Sequence, residues 1–288
     1  MDELFDSAWM KWGWAIVETE RLKADIHAWT EDADVQRLMT TRCEYRPNRH
    51  GCVLIVNSMP PLWPQIALRL SIVAHSYRSA LDNFAWTLVS RGHTPPDSLT
   101  RREQRAISFP ICDERDGPTG FNTLLRGTKR KPPVLPGVRR ADRALVRTAQ
   151  PYVHGHTNVP YHALWILAAF NNVDKHRTLQ PVHFLPERFD YEIRDARDCE
   201  VTRKQRRTRR RILQIDAELA YFPVRRTGPN PELQVEYEIA AFPALSEHLS
   251  LEDWLNNVGA VVGSVLGKIS DPPRELAALG LPPIVRVP

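Results

Sequence analysis

Two stretches of this chain are apolar over most of their length and then turn polar within a few residues. Trp63 to Gly92 (WPQIALRLSIVAHSYRSALDNFAWTLVSRG) predicts one long helix over 63–91, with Pro64 compatible with its first turn. His162 to Pro181 (HALWILAAFNNVDKHRTLQP) predicts a second helix over 161–178. Leu164, Trp165, Ile166, Leu167 and Phe170 make that helix apolar on all sides, the pattern of a helix inside a protein. Helical spacing of Trp9, Trp12, Ile16, Leu22 and Ile26 predicts a helix over 7–30 with Ser7 as its cap. Trp9, Trp12 and Trp14 cannot all face one side of it. A short basic helix over 139–149 and a last one over 250–269, opened by Ser250 with Asp253 three residues on, complete the set.

Period-2 and β-branched patterns predict strands at 35–45, 52–57, 181–185, 190–194, 211–221 and 233–242. The turn residues RPNRHG would join the first two as a hairpin. TGPNP (227–231) would join the last two as an antiparallel pair. The expectation is a single α+β domain over 1–288, a helical core packed with an antiparallel sheet. Residues 93–138, rich in proline and basic residues, are too long for a bare connection and read as a functional loop or inserted subregion. The tail 280–288 reads as extended.

Apolar residues at 42% and charged residues at 25% are ordinary for a globular protein, and 24 prolines against 13 glycines imply many rigid connections. Charge is more informative. Residues 1–34 carry a net −6, residues 212–288 a net −5, and the middle, 35–211, a net +16. A basic middle points to RNA or another polyanion, and the plain alternative is that the acidic ends neutralise it. The densest run is 203–211, RKQRRTRRR. Arg203, Lys204, Arg206, Arg207, Arg209, Arg210 and Arg211 would hold a phosphate backbone without reading sequence. A solvated loop is the alternative reading.

Cys43, Cys52, Cys112 and Cys199 show neither CxxC nor zinc spacing, although Cys43 and Cys52 could face each other across the first hairpin. The acidic N-terminus lacks a signal core, and no run approaches the ~20 apolar residues a bilayer requires, so the expectation is a reduced cytoplasmic protein without membrane segments. His154, His156 and His162 lack a nearby acidic ligand, and no metal or cofactor is expected. There is no GxSxG, P-loop or Rossmann fingerprint, which leaves serine hydrolase, nucleotide hydrolase and dehydrogenase readings without support.

The candidate site lies on the two apolar helices. His75, Arg78 and Asp82 are spaced i, i+3, i+7 and share one stripe, with Asn83 one position round. The second helix ends in Asn171, Asn172, Asp174, Lys175, His176 and Arg177. Asp174 could pair with Arg78, and Lys175 or Arg177 with Asp82. A His and an Arg beside carboxylates suit metal-free RNA cleavage, in which His moves a proton and Arg stabilises charge on the phosphorane. The alternatives are structural: basic residues favour a helix C-terminus, and Arg78 and Asp82 at i, i+4 can pair with each other.

RSALDNFAW (78–86), NNVDKHR (171–177) and QPY (150–152) together resemble a group of uncharacterised bacterial, often actinobacterial or phage, proteins. More distantly, the helical Arg followed by four residues and a polar group is similar to the Arg-X4–6-His motif of HEPN domains. Many of those are metal-independent ribonucleases acting as toxins or in phage defence. The resemblance implies that Arg78 is the motif arginine and sets Asn83 where the histidine belongs. Asn cannot act as a general base. His75 or His176 would therefore be the acid/base, Arg78 and Arg177 would contact phosphate, and Asp82 and Asp174 would orient them. Otherwise the domain binds RNA without cutting, as a binding or assembly module, and a second copy of the chain is a candidate partner.

Overall fold

The computed structural model describes residues 5–92, 96–112, 116–154, 162–174, 183–202, 206–207, 212–246, 249–273 and 276. The helices in chain order are α1 (Asp6–Glu31), α2 (Ala33–Arg37), α3 (Pro64–Ser90), α4 (Arg101–Ala106), α5 (Gly117–Arg126), α6 (Arg140–Thr148), α7 (Ala163–Asp174) and α8 (Leu251–Gly267). The strands are β1 (Thr40–Arg46), β2 (Gly51–Ser58), β3 (His183–Arg197), β4 (Cys199–Val201), β5 (Arg206–Arg207), β6 (Glu218–Arg226), β7 (Glu232–Ser246) and β8 (Leu249–Ser250). The protein is α+β. The sequence pattern reads as one domain, whereas the fold gathers into two compact units. The first comprises Met1–Leu22, Leu68–Gln180 and Trp254–Pro288, and the second Lys23–Ala67 and Pro181–Asp253.

The first unit is helical, and its centre is a close approach of α1, α3 and α8. Trp12 donates its indole N–H to the Gly259 carbonyl at 2.8 Å. Glycines at 259 and 263 permit this. A Cβ on Gly259 would stand 2.6 Å from Ile16 Cδ1 and 2.8 Å from the Tyr77 hydroxyl, and one on Gly263 would meet the Trp12 ring at 3.1 Å. Tyr77 is fully buried, and its hydroxyl shares a 3.0 Å hydrogen bond with Thr19, which in turn donates to the Ala15 carbonyl. Of the three N-terminal tryptophans, Trp9 and Trp12 are core and Trp14 is exposed. A 100° step per residue forces that division. Burying side chains of this size stabilises the unit by about 2–3 kcal/mol each.

Residues 93–138 are not a bare loop where they are described. Thr100 and Glu103 form a reciprocal capping box on α4. α5 follows, and then a turn in which Thr128 accepts from the Arg130 and Lys131 amides. Helix α6 occupies the expected basic helix, turning Asp142, Val146 and Ala149 inward. Helix α8 begins where the capping pattern placed it, with Ser250 Oγ accepting from the Asp253 amide at 2.9 Å.

The second unit carries the strands. One sheet runs β1-β2-β6-β4, with β5 also on β6, and the other runs β3-β7-β8. Three expectations are corrected here. Residues 35–37 are helical, because Asp32 caps α2 by accepting from the Asp34 and Val35 amides. The strand expected at 211–221 is displaced to 218–226 by a turn at Ile215 and Asp216, the latter at φ 70°. Finally, β6 and β7 do not pair. β2 is buried on both faces, so it takes as neighbour the largely apolar β6, while β7, which alternates, pairs with the equally alternating β3. The 227–231 loop crosses between the sheets instead, held by Asp198, whose carbonyl accepts from Thr227 and Gly228 and whose carboxylate accepts from Asn230.

Candidate functional site

Helix α3 presents the expected stripe. His75 is exposed, and Arg78, Asp82 and Asn83 are half-buried along one side. Arg78 Nε donates to Asp82 Oδ2 at 3.1 Å, and Arg78 Nη2 lies 2.9 Å from Asp82 Oδ1. The pair does not stop there. Arg78 Nη2 donates to the Phe109 carbonyl at 2.9 Å, and the Phe109 amide donates to Asp82 Oδ1 at 2.9 Å. One guanidinium and one carboxylate thereby satisfy both main-chain polar groups of a single residue, as a neighbouring strand would. The Phe109 ring is buried and tilted against Phe84, itself on α3.

A second clamp holds the same segment. Gln150, with no exposed surface, donates to the Pro110 and Val146 carbonyls at 3.0 and 2.9 Å and accepts from the Cys112 amide at 2.9 Å. Residues 109–112 are thus gripped at both ends. In the sequence Gln150 stands out as the end of the short basic helix, before Pro151, and as part of QPY. The signal available was a glutamine directly before proline at the end of a helix, a side chain whose amide can both donate and accept.

Asn83 donates to the Ser79 carbonyl at 2.8 Å and accepts from the Ser7 hydroxyl at 3.2 Å. The other half of the expected constellation cannot be joined to this stripe. Asn171, Asn172 and Asp174 lie on α7, but their side chains, and all of Lys175, His176 and Arg177, are outside the described residues. Of the basic run, Arg206 and Arg207 form β5 opposite Tyr221 and Ala220, while Arg203, Lys204, Arg209, Arg210 and Arg211 are also outside. His156 is outside too, and His162 Nδ1 accepts from the Leu164 amide at 3.3 Å. Among the described residues no group of three or more His, Cys, Asp or Glu side chains is arranged to hold a metal ion. No described helix is long and apolar enough to cross a membrane.

Among the described residues, the strand arginines of the second unit and the 101–147 cations of the first differ in their partners. In the second unit arginines are matched to carboxylates: Arg42 to Glu44 and Asp216, Arg46 to Glu44, Arg49 to Glu218, Arg194 to Glu192 and Glu236, and Arg225 to Glu200. In the first unit every described lysine and arginine from Arg101 to Arg147 is exposed, and none forms an ion pair with a described carboxylate. The local geometry concentrates them. Arg140, Arg143 and Arg147 share one stripe of α6, opposite its buried face. Arg102 donates to the Arg130 carbonyl, which ties α4 to the turn carrying Lys129, Arg130 and Lys131.

Comparison of the chain with protein-family models, curated proteins and solved structures gave no match.

Proposed function

We propose that this protein is an RNA-directed binding protein whose first unit engages the phosphate backbone through the cations of 101–147, and that the Arg78–Asp82 pair is architectural. The observation that carries this reading is that the cations of that segment are exposed and, among the described residues, have no carboxylate partner, whereas the strand arginines do. Surface arginines with no carboxylate to neutralise them keep their counterions loosely, and releasing those ions is the main source of affinity for a polyphosphate chain. The 203–211 run, in the second unit, would be a polyanion-binding element of its own. For cleavage, Arg78 would have to face a substrate phosphate, yet its hydrogen bonds go to Asp82 and to the Phe109 carbonyl. Asn83, at the histidine position of the HEPN-like motif, is bonded within its own helix and to Ser7.

The test is fluorescence anisotropy with a labelled single-stranded RNA in EDTA across a salt series, with the RNA run on a denaturing gel afterwards. Micromolar or tighter binding that weakens steeply with salt, with the RNA intact, is the expected result. Replacing Arg140, Arg143 and Arg147 by Gln should lower the slope of log K against log salt by about 2, from ~0.7 per lost phosphate contact. Absence of binding at low salt would remove the reading. Cleavage of the RNA would return the Arg78 stripe and His176 to a catalytic role.

A further inference from the structure

Three of the four cysteines converge in the second unit, a feature that neither the RNA reading nor the helical stripe uses. All are reduced. In the β1–β2 hairpin Cys43 stands opposite Leu54, and Tyr45 opposite Cys52. Alternate residues of a strand share a face, so Cys43, Leu54 and Cys52 project from the same side, with the two cysteines diagonal to each other. The Cys43 and Cys52 thiols shift each other's titration, and the Cys199 thiol of β4 shifts that of Cys52 as well. Exposure is graded: Cys43 is half-exposed, whereas Cys52 and Cys199 are buried. Among the described residues β1 also ends its sheet, next to β2 in the strand order.

We infer that Cys43 and Cys52 are a reversible dithiol–disulfide pair, oxidised by exchange with a small disulfide of the glutathione class. Cys43, the accessible thiol, attacks one sulfur of that disulfide and expels the first small thiolate. Cys52 then attacks the Cys43 sulfur of the mixed disulfide and expels the second. The two protons given up by the cysteines pass to the departing thiolates. Two protein thiols are thereby oxidised to one disulfide while one small disulfide is reduced to two thiols.

The surroundings suit each step. Hydrogen bonds from Cys43 and then Cys199 hold the Cys52 thiol below its ordinary value, despite burial, which favours its attack at the second step. The same contact with Cys52, followed by burial, holds the Cys43 thiol up. Diagonal neighbours stand about 7–8 Å apart, just beyond the ~4.4–6.8 Å that a disulfide spans, so β1 must move by about 1 Å. A strand paired on one edge can do so, and the strain left in the bond keeps it reducible.

The experiment uses the full chain incubated with oxidised glutathione, alkylated under denaturing conditions and mapped by mass spectrometry without reduction. The expected result is a peptide pair joined through Cys43 and Cys52, lost again on adding dithiothreitol. The Cys52→Ser variant should instead accumulate glutathione on Cys43, and the Cys112→Ser variant should behave as the parent. A wild-type chain with all cysteines alkylated would overturn the inference. So would a bridge containing Cys199, or glutathione retained on Cys43 of the wild type. The wild-type map decides the pairing whether or not Cys52→Ser folds, and circular dichroism of that variant decides whether its own result counts.

Discussion

Arg78 and Asp82, four residues apart on α3, bond each other and together take up the main-chain N–H and C=O of Phe109. An i, i+4 pair on an exposed helix face contributes a few tenths of a kcal/mol. This one is different in kind, because removing either partner also strands main-chain groups of another segment.

Asp82→Ala should therefore destabilise the first unit by about 1–3 kcal/mol, the cost of leaving the Phe109 amide and the Arg78 guanidinium without their acceptor. Asp82→Asn keeps an acceptor and should cost less. Urea unfolding of the two variants checks both the size and the order. Equal, negligible effects would mean that the clamp is not formed in solution.

Gln150→Leu has nearly the same volume and none of the hydrogen bonds. It leaves the Cys112 amide and the Pro110 carbonyl without their side-chain partner in a fully buried place, so a loss of roughly 2–4 kcal/mol is expected. Thermal melting gives the total. Amide exchange at Cys112 should accelerate more than exchange at the centre of α3, and a uniform change would point to a global rather than local effect.

Gly259→Ala places a methyl group against Ile16 and the Tyr77 hydroxyl. Overpacking of this sort costs about 1–3 kcal/mol. Gly263→Ala, where the neighbouring Trp12 ring is 3.1 Å away, should be milder. Comparative melting of the two variants tests the ranking, which reverses if α8 can slide along α1.

Acid should loosen α4 first at its cap. The Glu103 carboxyl is held below its ordinary value by the hydrogen bond from the Thr100 hydroxyl and then by that from the Thr100 amide. A carboxyl lowered in the folded state adds stability above its unfolded pKa and loses it as pH falls through the folded value. The Thr100 amide should thus exchange faster below the usual carboxylate range while α6 stays protected. A Glu103→Gln variant, with no carboxyl to protonate, should show no such pH step.

The long helices were legible because each satisfies its own backbone and needs only a stripe of apolar residues, which the spacing in 7–30, 63–91 and 250–269 displays. Partner choice among strands was not. Whether β6 pairs with β7 or β2 depends on which neighbour matches its two apolar faces, and that is a property of two distant segments at once. The site was half legible for the same reason. Spacing set Arg78 and Asp82 on one stripe, but nothing near them in sequence announced Phe109, whose contribution is a main-chain N–H and C=O like those of other residues. Exposure of the 101–147 cations was equally hidden, since a run of arginines reads alike whether carboxylates cover it or not.

Trp12 and Gly259 lie 247 residues apart in the chain, yet their hydrogen bond belongs to the centre of the first unit. A ribosome adding about 5–20 residues per second needs roughly 12–50 s to deliver the second partner after the first. Throughout that interval α1 emerges with Trp9 and Trp12 uncovered, and no α8 exists to receive them. Synthesis of this protein therefore includes a long window in which the α1 surface that meets α8 has no partner.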